Sequence, residues 1–224
     1  MIALVFELSS PQGSLALFRD GTLLGADRWP ESRGSSRAVF DSMSRLLAEA
    51  GLAAGDVGLF VAGRGPGNYS GMRAALTLAQ TLALPGGAEV RAVDSGAALA
   101  RELLEENPER IAAIAGDARR DRCWLGVFEP ADGGRVATKL EWRLCTPPEL
   151  MTLIPAGAVA ASSEFTRLST LPGFATAAGV RWIRTPRFPD ARQLGALALA
   201  ERAAGRPSAP LSPIYLHPAV AERA

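Results

Sequence analysis

The sequence predicts a duplicated α/β protein, two halves in which strands and helices alternate. Three observations carry that prediction. Each half opens on strand–turn–strand, IALVFELSSPQGSLALFRDG and RIAAIAGDARRDRCWLGVFEP. Short apolar runs bounded by turn signals alternate with stretches of helical period. A length of 224 residues with 48% hydrophobic side chains is ample for a buried core. The division is placed at residue 100, giving an N-terminal unit over 1–100 and a C-terminal unit over 101–224 that ends in an extended, proline-rich tail.

The elements follow in order. IALVFELSS reads as a buried strand and GSLALFRDG as a second; Asp20-Gly21 is a hairpin signal, so TLLGADRW pairs back on it. Ser35 or Ser36 caps a helix that runs to Ala50 and is stopped by Gly51, with Val39, Phe40, Met43, Leu46, Leu47 and Ala50 in one apolar stripe. Arg37/Asp41 and Arg45/Glu49 lie on its wet side. VGLFVAG is a buried strand parallel to the first; a helix over 70–84 and the strand AEVRAVDS complete the unit. The second half brings a helix over 95–106, the strand–turn–strand, the strand KLEWRLC and a short helix in TPPELMTLI. AVAASSEF and VRWIRT read as short strands, PDARQLGALALAERAAG as an amphipathic helix, and the tail with its four prolines as extended.

Composition excludes several chemistries. The formal net charge of +1 gives no electrostatic case for autonomous binding to nucleic acid or an anionic membrane. No apolar run approaches the ~20 residues of a membrane span, and the N-terminus lacks a basic start and a cleavage site, so a soluble, cytoplasmic chain is expected. Cys123 and Cys145 match neither a disulfide framework nor a zinc site. Lys139, the only lysine, lies far from any glycine-rich turn, which removes the P-loop and protein-kinase signatures. His217, the only histidine, removes HExxH sites and histidine-rich metal centres, and there is no GxSxG elbow for a Ser-His-Asp hydrolase. Asp117 and Arg119 read as structural turn residues, and Trp124 and Phe128 as core.

The segment VAGRGPGNYSGMR holds the chemical interest. Gly63, Gly65, Gly67 and Gly71 allow positive φ or close backbone approach, and a helix starts directly after them. One reading is a phosphate or carboxylate site on the helix N-terminus, flanked by Arg64 and Arg73; the other is a tight strand-to-helix connection.

GRGPGNYSGMR resembles the GxGPGSFTGxR signature of the bacterial accessory-subunit family of tRNA threonylcarbamoyladenosine biosynthesis, TsaB (YeaZ). FELSSPQGSLALFRDG resembles the family's DTSTxxxSVAL hairpin, GDARRDRCWLGVF its DARRxEVY hairpin, and PIYLHP its PxYLR ending. The resemblance implies an actin-like ATPase (ASKHA) fold of two RNase H-like halves, each a mixed β-sheet with helices. It implies a subunit with no catalytic residues and no metal, supporting a catalytic paralogue, TsaD, together with the ATPase TsaE. That complex threonylcarbamoylates N6 of adenosine 37 in tRNAs reading ANN codons, so tRNA would be met only through the complex. Glu7 stands at the family's Asp position, Leu8 at a Thr, Ser35 at a His and His217 at an Arg. No cofactor is implied beyond residual nucleotide binding at Glu7, Ser9, Gly65 and Gly67.

The second helix has an apolar surface wider than one core needs, with Ala74 and Leu78 beyond the stripe a sheet would bury and a wet face carrying the single charge of Arg73. In the family this helix and the first form a four-helix arrangement with the partner. The interface therefore falls on Val39, Phe40, Met43, Met72, Ala74 and Leu78, with a homodimer as a further possibility. The competing readings are a free-standing kinase, ATPase or peptidase on the same fold, and a scaffold paralogue with another partner.

Overall fold

A computed structural model describes residues 1–30, 37–108, 110–175 and 179–217. The first sheet holds β1 (Ile2–Glu7), β2 (Gln12–Arg19), β3 (Thr22–Pro30), β4 (Val57–Gly63) and β5 (Glu89–Val93), with α1 (Ala38–Glu49) and α2 (Tyr69–Ala83) between its later strands. After α3 (Ser95–Glu106) come β6 (Ala112–Arg119), β7 (Arg122–Ala131) and β8 (Arg135–Cys145), then α4 (Pro147–Leu153), β9 (Val159–Ala161), α5 (Phe165–Leu168), β10 (Arg181–Trp182) and α6 (Ala191–Ala203).

The sheets run β3-β2-β1-β4-β5 and β10-β9-β6-β7-β8, which is one topology used twice. In each, three strands form an antiparallel meander and two more add in parallel to the first. A five-stranded mixed sheet of this order is the RNase H-like unit, and its duplication is the actin-like architecture.

Strand alternation assigns every face. Leu4 and Phe6 of β1 face α1 and α2, together with Leu15, Phe60, Ala75 and Leu76. Ala3 and Val5 point the other way, onto Ala98 of α3 and Ala191, Leu194 and Ala198 of α6. The opposite side of α3, with Leu99 and Leu103, and Leu197 of α6 meet Ile114, Trp124 and Phe128 of the second sheet. Leu150 of α4 and Leu168 of α5 cover that sheet's far side. Five layers result, with α3 and α6 in the middle. The sheets part across α3, and α6 and the tail pack back on the first sheet, where Ala209 bridges Ala92.

Several expected details shift. α1 is described from Ala38, with Arg37 at its N-cap making no side-chain cap bond; Ser35 and Ser36 lie outside the described residues. AVAASSEF yields only the three strand residues Val159–Ala161, because the Ser162 hydroxyl takes the Glu164 N–H and turns the chain into α5, which sequence reading missed. α6 is wetted less than an amphipathic surface helix would be, since it is packed from both sides.

Gly195 of α6 sits where a methyl would overlap the Phe18 ring and press on Val5. Gly195→Ala would gain about 1 kcal/mol of helix propensity, but overpacking costs about 1–3 kcal/mol. A lower midpoint in urea unfolding is expected; a raised midpoint would contradict this packing.

Candidate functional site

The glycine-rich turn between β4 and α2 is pressed against the end of β1. A Cβ at Gly67 would overlap the Ser9 carbonyl oxygen, one at Gly71 the Leu8 carbonyl oxygen, and one at Gly63 a Glu7 carboxylate oxygen. Gly65 has φ +93°, and the Gly65-Pro66 peptide is cis. The Asn68 N–H donates to Ser9 O at 2.7 Å, and the Asn68 side chain accepts from the N–H groups of Ser70 and Gly71. The donors that would hold an anion at the start of α2 are therefore partly spent on Asn68. Arg64 is likewise engaged: its Nε is 2.6 Å from Asp94 Oδ1, and its Nη1 reaches the carbonyls of Pro210 and Ser212. Asp94 also accepts from Trp142 Nε1 at 2.8 Å, so this one carboxylate joins the glycine turn, the tail and β8. No sequence signal marked Asp94 for that role.

Glu7 lies directly beneath the turn, wholly buried. Its Oε1 accepts the Ser9 N–H at 2.6 Å, while Oε2 has no hydrogen-bond partner. The Ser95 hydroxyl beside it accepts from Gly65 N–H at 3.0 Å, and Ser95 N–H returns a bond to Gly65 O at 2.8 Å. Burial pushes the Glu7 carboxyl above the ordinary glutamate range, against the opposing pull of the nearby Ser9 and Ser95 hydroxyls. The carboxyl packs into the space Gly63 leaves, next to the Ser95 hydroxyl, and it is Ser95 that bonds the turn to α3.

Above the turn, a cavity of about 920 Å³ opens between the halves. Ser9 and Gly67 line it; Glu7 and Gly65 do not, which corrects the expectation that all four would face one ligand. The Ser9 hydroxyl is buried there without a partner. On the far side, Asp117 is engaged by Arg119 at 2.7 Å and by Arg167, and Glu164 contacts Arg119 at 3.4 Å. Burial raises the Glu164 carboxyl, with Arg119 opposing. Trp124 is a core residue that also reaches the cavity, and His217 Nε2 sits 2.6 Å from the Ala118 carbonyl. Sequence reading missed the pair of Tyr69 and Tyr215, which stack with ring centroids 5.1 Å apart although they are 146 positions apart in the chain.

The proposed helix face divides. Val39 and Met72 are buried in the chain's own core, so neither is available to a partner, a correction that follows from the sheet's coverage of that stripe. Met43 and Leu78 pack partly on the same core. Phe40, 47% exposed, and Ala74 stand on the outer surface of α1 and α2. Arg37–Asp41 and Arg45–Glu49 pair in solvent, as the spacing implied. Among the described residues, no group of three or more His, Cys, Asp or Glu is placed to hold a metal, and no helix is long and apolar enough to cross a membrane.

The fold is shared with known proteins. The family model described as "TsaD: tRNA N6-adenosine threonylcarbamoyltransferase" matches residues 30–153, more than half of the 224-residue chain, and the chain belongs to that family. The tRNA threonylcarbamoyladenosine biosynthesis protein TsaB of Bacillus subtilis (strain 168) is 27% identical over 136 residues, 59% of this chain and 57% of that protein. The match thus spans little more than half of that curated relative. Two solved structures from Pseudomonas aeruginosa are similar over 96% of this chain and 99% of theirs, each 25% identical. One is YeaZ, with a TM-score of 0.79; the other, at 0.81, is described as an uncharacterized protein with similarity to peptidase YEAZ. The likeness to TsaB read from the glycine signature is therefore found independently in sequence and in structure.

The raised Glu7 carboxyl has a consequence for stability. Its folded state holds the proton more tightly than the unfolded chain, so its favourable contribution is full below the ordinary glutamate value and is lost as pH rises through the folded value. Glu7→Gln keeps an acceptor for Ser9 N–H and cannot ionise. Its melting temperature should gain on the wild type by a few degrees between about pH 4 and pH 8. A gap that shrinks over that range would show the carboxylate, not the acid, to be the stable form.

Proposed function

We propose that this chain is a non-catalytic accessory subunit, working in the cytoplasm. It supports a catalytic paralogue of the TsaD type, with the ATPase TsaE, in threonylcarbamoylation of N6 of adenosine 37 in tRNAs reading ANN codons. One observation carries the reading: the carboxylates where this fold would do chemistry are committed elsewhere. Glu7 is sealed under the glycine turn and does not line the cavity. Each Asp94 oxygen already accepts a hydrogen bond, one from Arg64 and one from Trp142, and Asp117 is held by two arginines. A general base or a metal-organising acid needs a free oxygen at the ligand. Membership of the threonylcarbamoyltransferase family and likeness to TsaB supply the reaction in which such a subunit takes part.

The partner docks on the outer surface of α1 and α2. Phe40 of α1 is a large, exposed aromatic of the kind that anchors interfaces, and α2 exposes Ala74 and Thr77, small side chains that let another helix approach. The same surface would serve a homodimer when the paralogue is absent. Ala74→Glu places a charge on this exposed surface, so folding should be unchanged, whereas a buried complex would have to desolvate it. Co-purification and calorimetric titration with the catalytic paralogue should show affinity reduced about tenfold or more. Full-strength binding by a well-folded Ala74→Glu, and again by Phe40→Asp, would refute this interface.

A further inference from the structure

We propose that the mouth of the cleft is a contact site for single-stranded RNA, with Tyr69 and Tyr215 stacking on bases and Arg120 and Arg122 holding phosphates. One lip carries the aromatics. Tyr69 at the start of α2 and Tyr215 of the tail stack at 5.1 Å with planes 25° apart, yet 54% and 51% of their surfaces remain exposed. The Arg73 guanidinium lies 5.3 Å from the centroid of the Tyr69 ring, and its Nη1 donates to the Tyr69 hydroxyl at 2.9 Å. Aromatic faces backed by arginine accept any base, without reading its sequence.

The opposite lip is the β6–β7 turn, reached through Ala118 and Arg119 on the cavity wall. Three successive residues that are not glycine have left-handed backbones there: Arg119 at φ +68°, Arg120 at +54° and Asp121 at +54°. An L side chain resists that conformation, and a hairpin needing it normally uses glycine or asparagine. Arg119 and Arg122 are also cross-strand partners, a like-charge pairing that costs stability. Asp117 and Glu164 neutralise Arg119. Among the described residues, Arg120 and Arg122 stand exposed with no ion pair within contact distance; the Arg122 charge is felt by the Glu149 carboxylate of α4, whereas Arg120 at the tip has no such partner. A strained backbone that holds out the guanidinium of Arg120, with exposed Arg122 two residues on, fits a polyanion as its counterpart. The choice of RNA as that polyanion rests on the function proposed above. With a net charge of +1 the chain supplies no long-range attraction, so binding by the chain alone is weak and local.

The full chain is titrated, by fluorescence anisotropy, into a labelled single-stranded RNA of about twelve nucleotides and into an unmodified tRNA transcript. Two phosphate contacts give a log affinity–log salt slope of about −1.4 with the oligonucleotide, falling to about −0.7 in Arg120→Gly. Arg120→Gly should bind about threefold to tenfold more weakly while melting about 3 °C higher, because the strain is released. Tyr215→Ala should weaken binding about fivefold or more, with Tyr215→Phe restoring it. Unchanged RNA affinity in both Arg120→Gly and Tyr215→Ala overturns the site, as does a lower melting temperature for Arg120→Gly. Loss of paralogue capture in these variants with RNA affinity intact also overturns it, by showing a protein contact. Because the RNA titration uses the chain alone, it stands or falls whether or not the chain captures the paralogue.

Discussion

A buried carboxyl beneath a glycine turn sets the shape of everything above it. Glu7 has no exposed surface, and only Oε1 is hydrogen-bonded, to the N–H of Ser9. Leaving a charge in that position would cost several kcal/mol, so burial favours the proton. The acid fits only because Gly63 has no side chain, and the loop above fits only because Gly67 and Gly71 let the carbonyls of Ser9 and Leu8 come close. Ser95, the first residue of α3, then joins the turn to that helix, and α3 carries the contact on to the second sheet. The turn that resembles a ligand loop is thus, in large part, a structural joint between the halves.

The cleft inherits its character from that joint. With Glu7 turned inward, the acids that reach the cavity wall are Asp117 and Glu164, both engaged by arginine. What faces outward is aromatic and cationic: the Tyr69–Tyr215 stack on one lip and the strained arginine turn on the other. The tail completes the wall. Arg64 holds the carbonyls of Pro210 and Ser212, Ile214 N–H donates to Arg64 O, and His217 reaches Ala118 in the second half.

Much of the fold was legible because periodicity and turn chemistry agree locally. Asp20-Gly21 marks its hairpin, β1 and β4 read as buried runs, and α3 falls at 95–106 as read from the sequence. Legibility failed where structure depends on distant neighbours. α5 has only four residues and no period to detect. Val39 and Met72 lie on apolar stripes whose outward and inward edges cannot be told apart until the sheet beneath them is placed. In the site, the glycines announced close approach, but nothing local said that the approaching group is the chain's own β1 end. Ser95, Asp94 and Tyr215 were silent for the same reason: each acquires its role from a partner at least 30 positions away in the chain, Ser95 from Gly65 at 30, Asp94 from Trp142 at 48.

If Glu7 is a structural tie and not a catalytic acid, the purified chain alone will hydrolyse neither ATP nor a peptide substrate at a rate that depends on this residue. The direct measurement is steady-state ATP hydrolysis by wild type and Glu7→Ala prepared side by side, with folding of each checked by thermal melting. The expected result is the same trace rate in both. Turnover by the wild type in the ordinary enzyme range, roughly 1 s⁻¹ or faster, abolished in a folded Glu7→Ala, would contradict it.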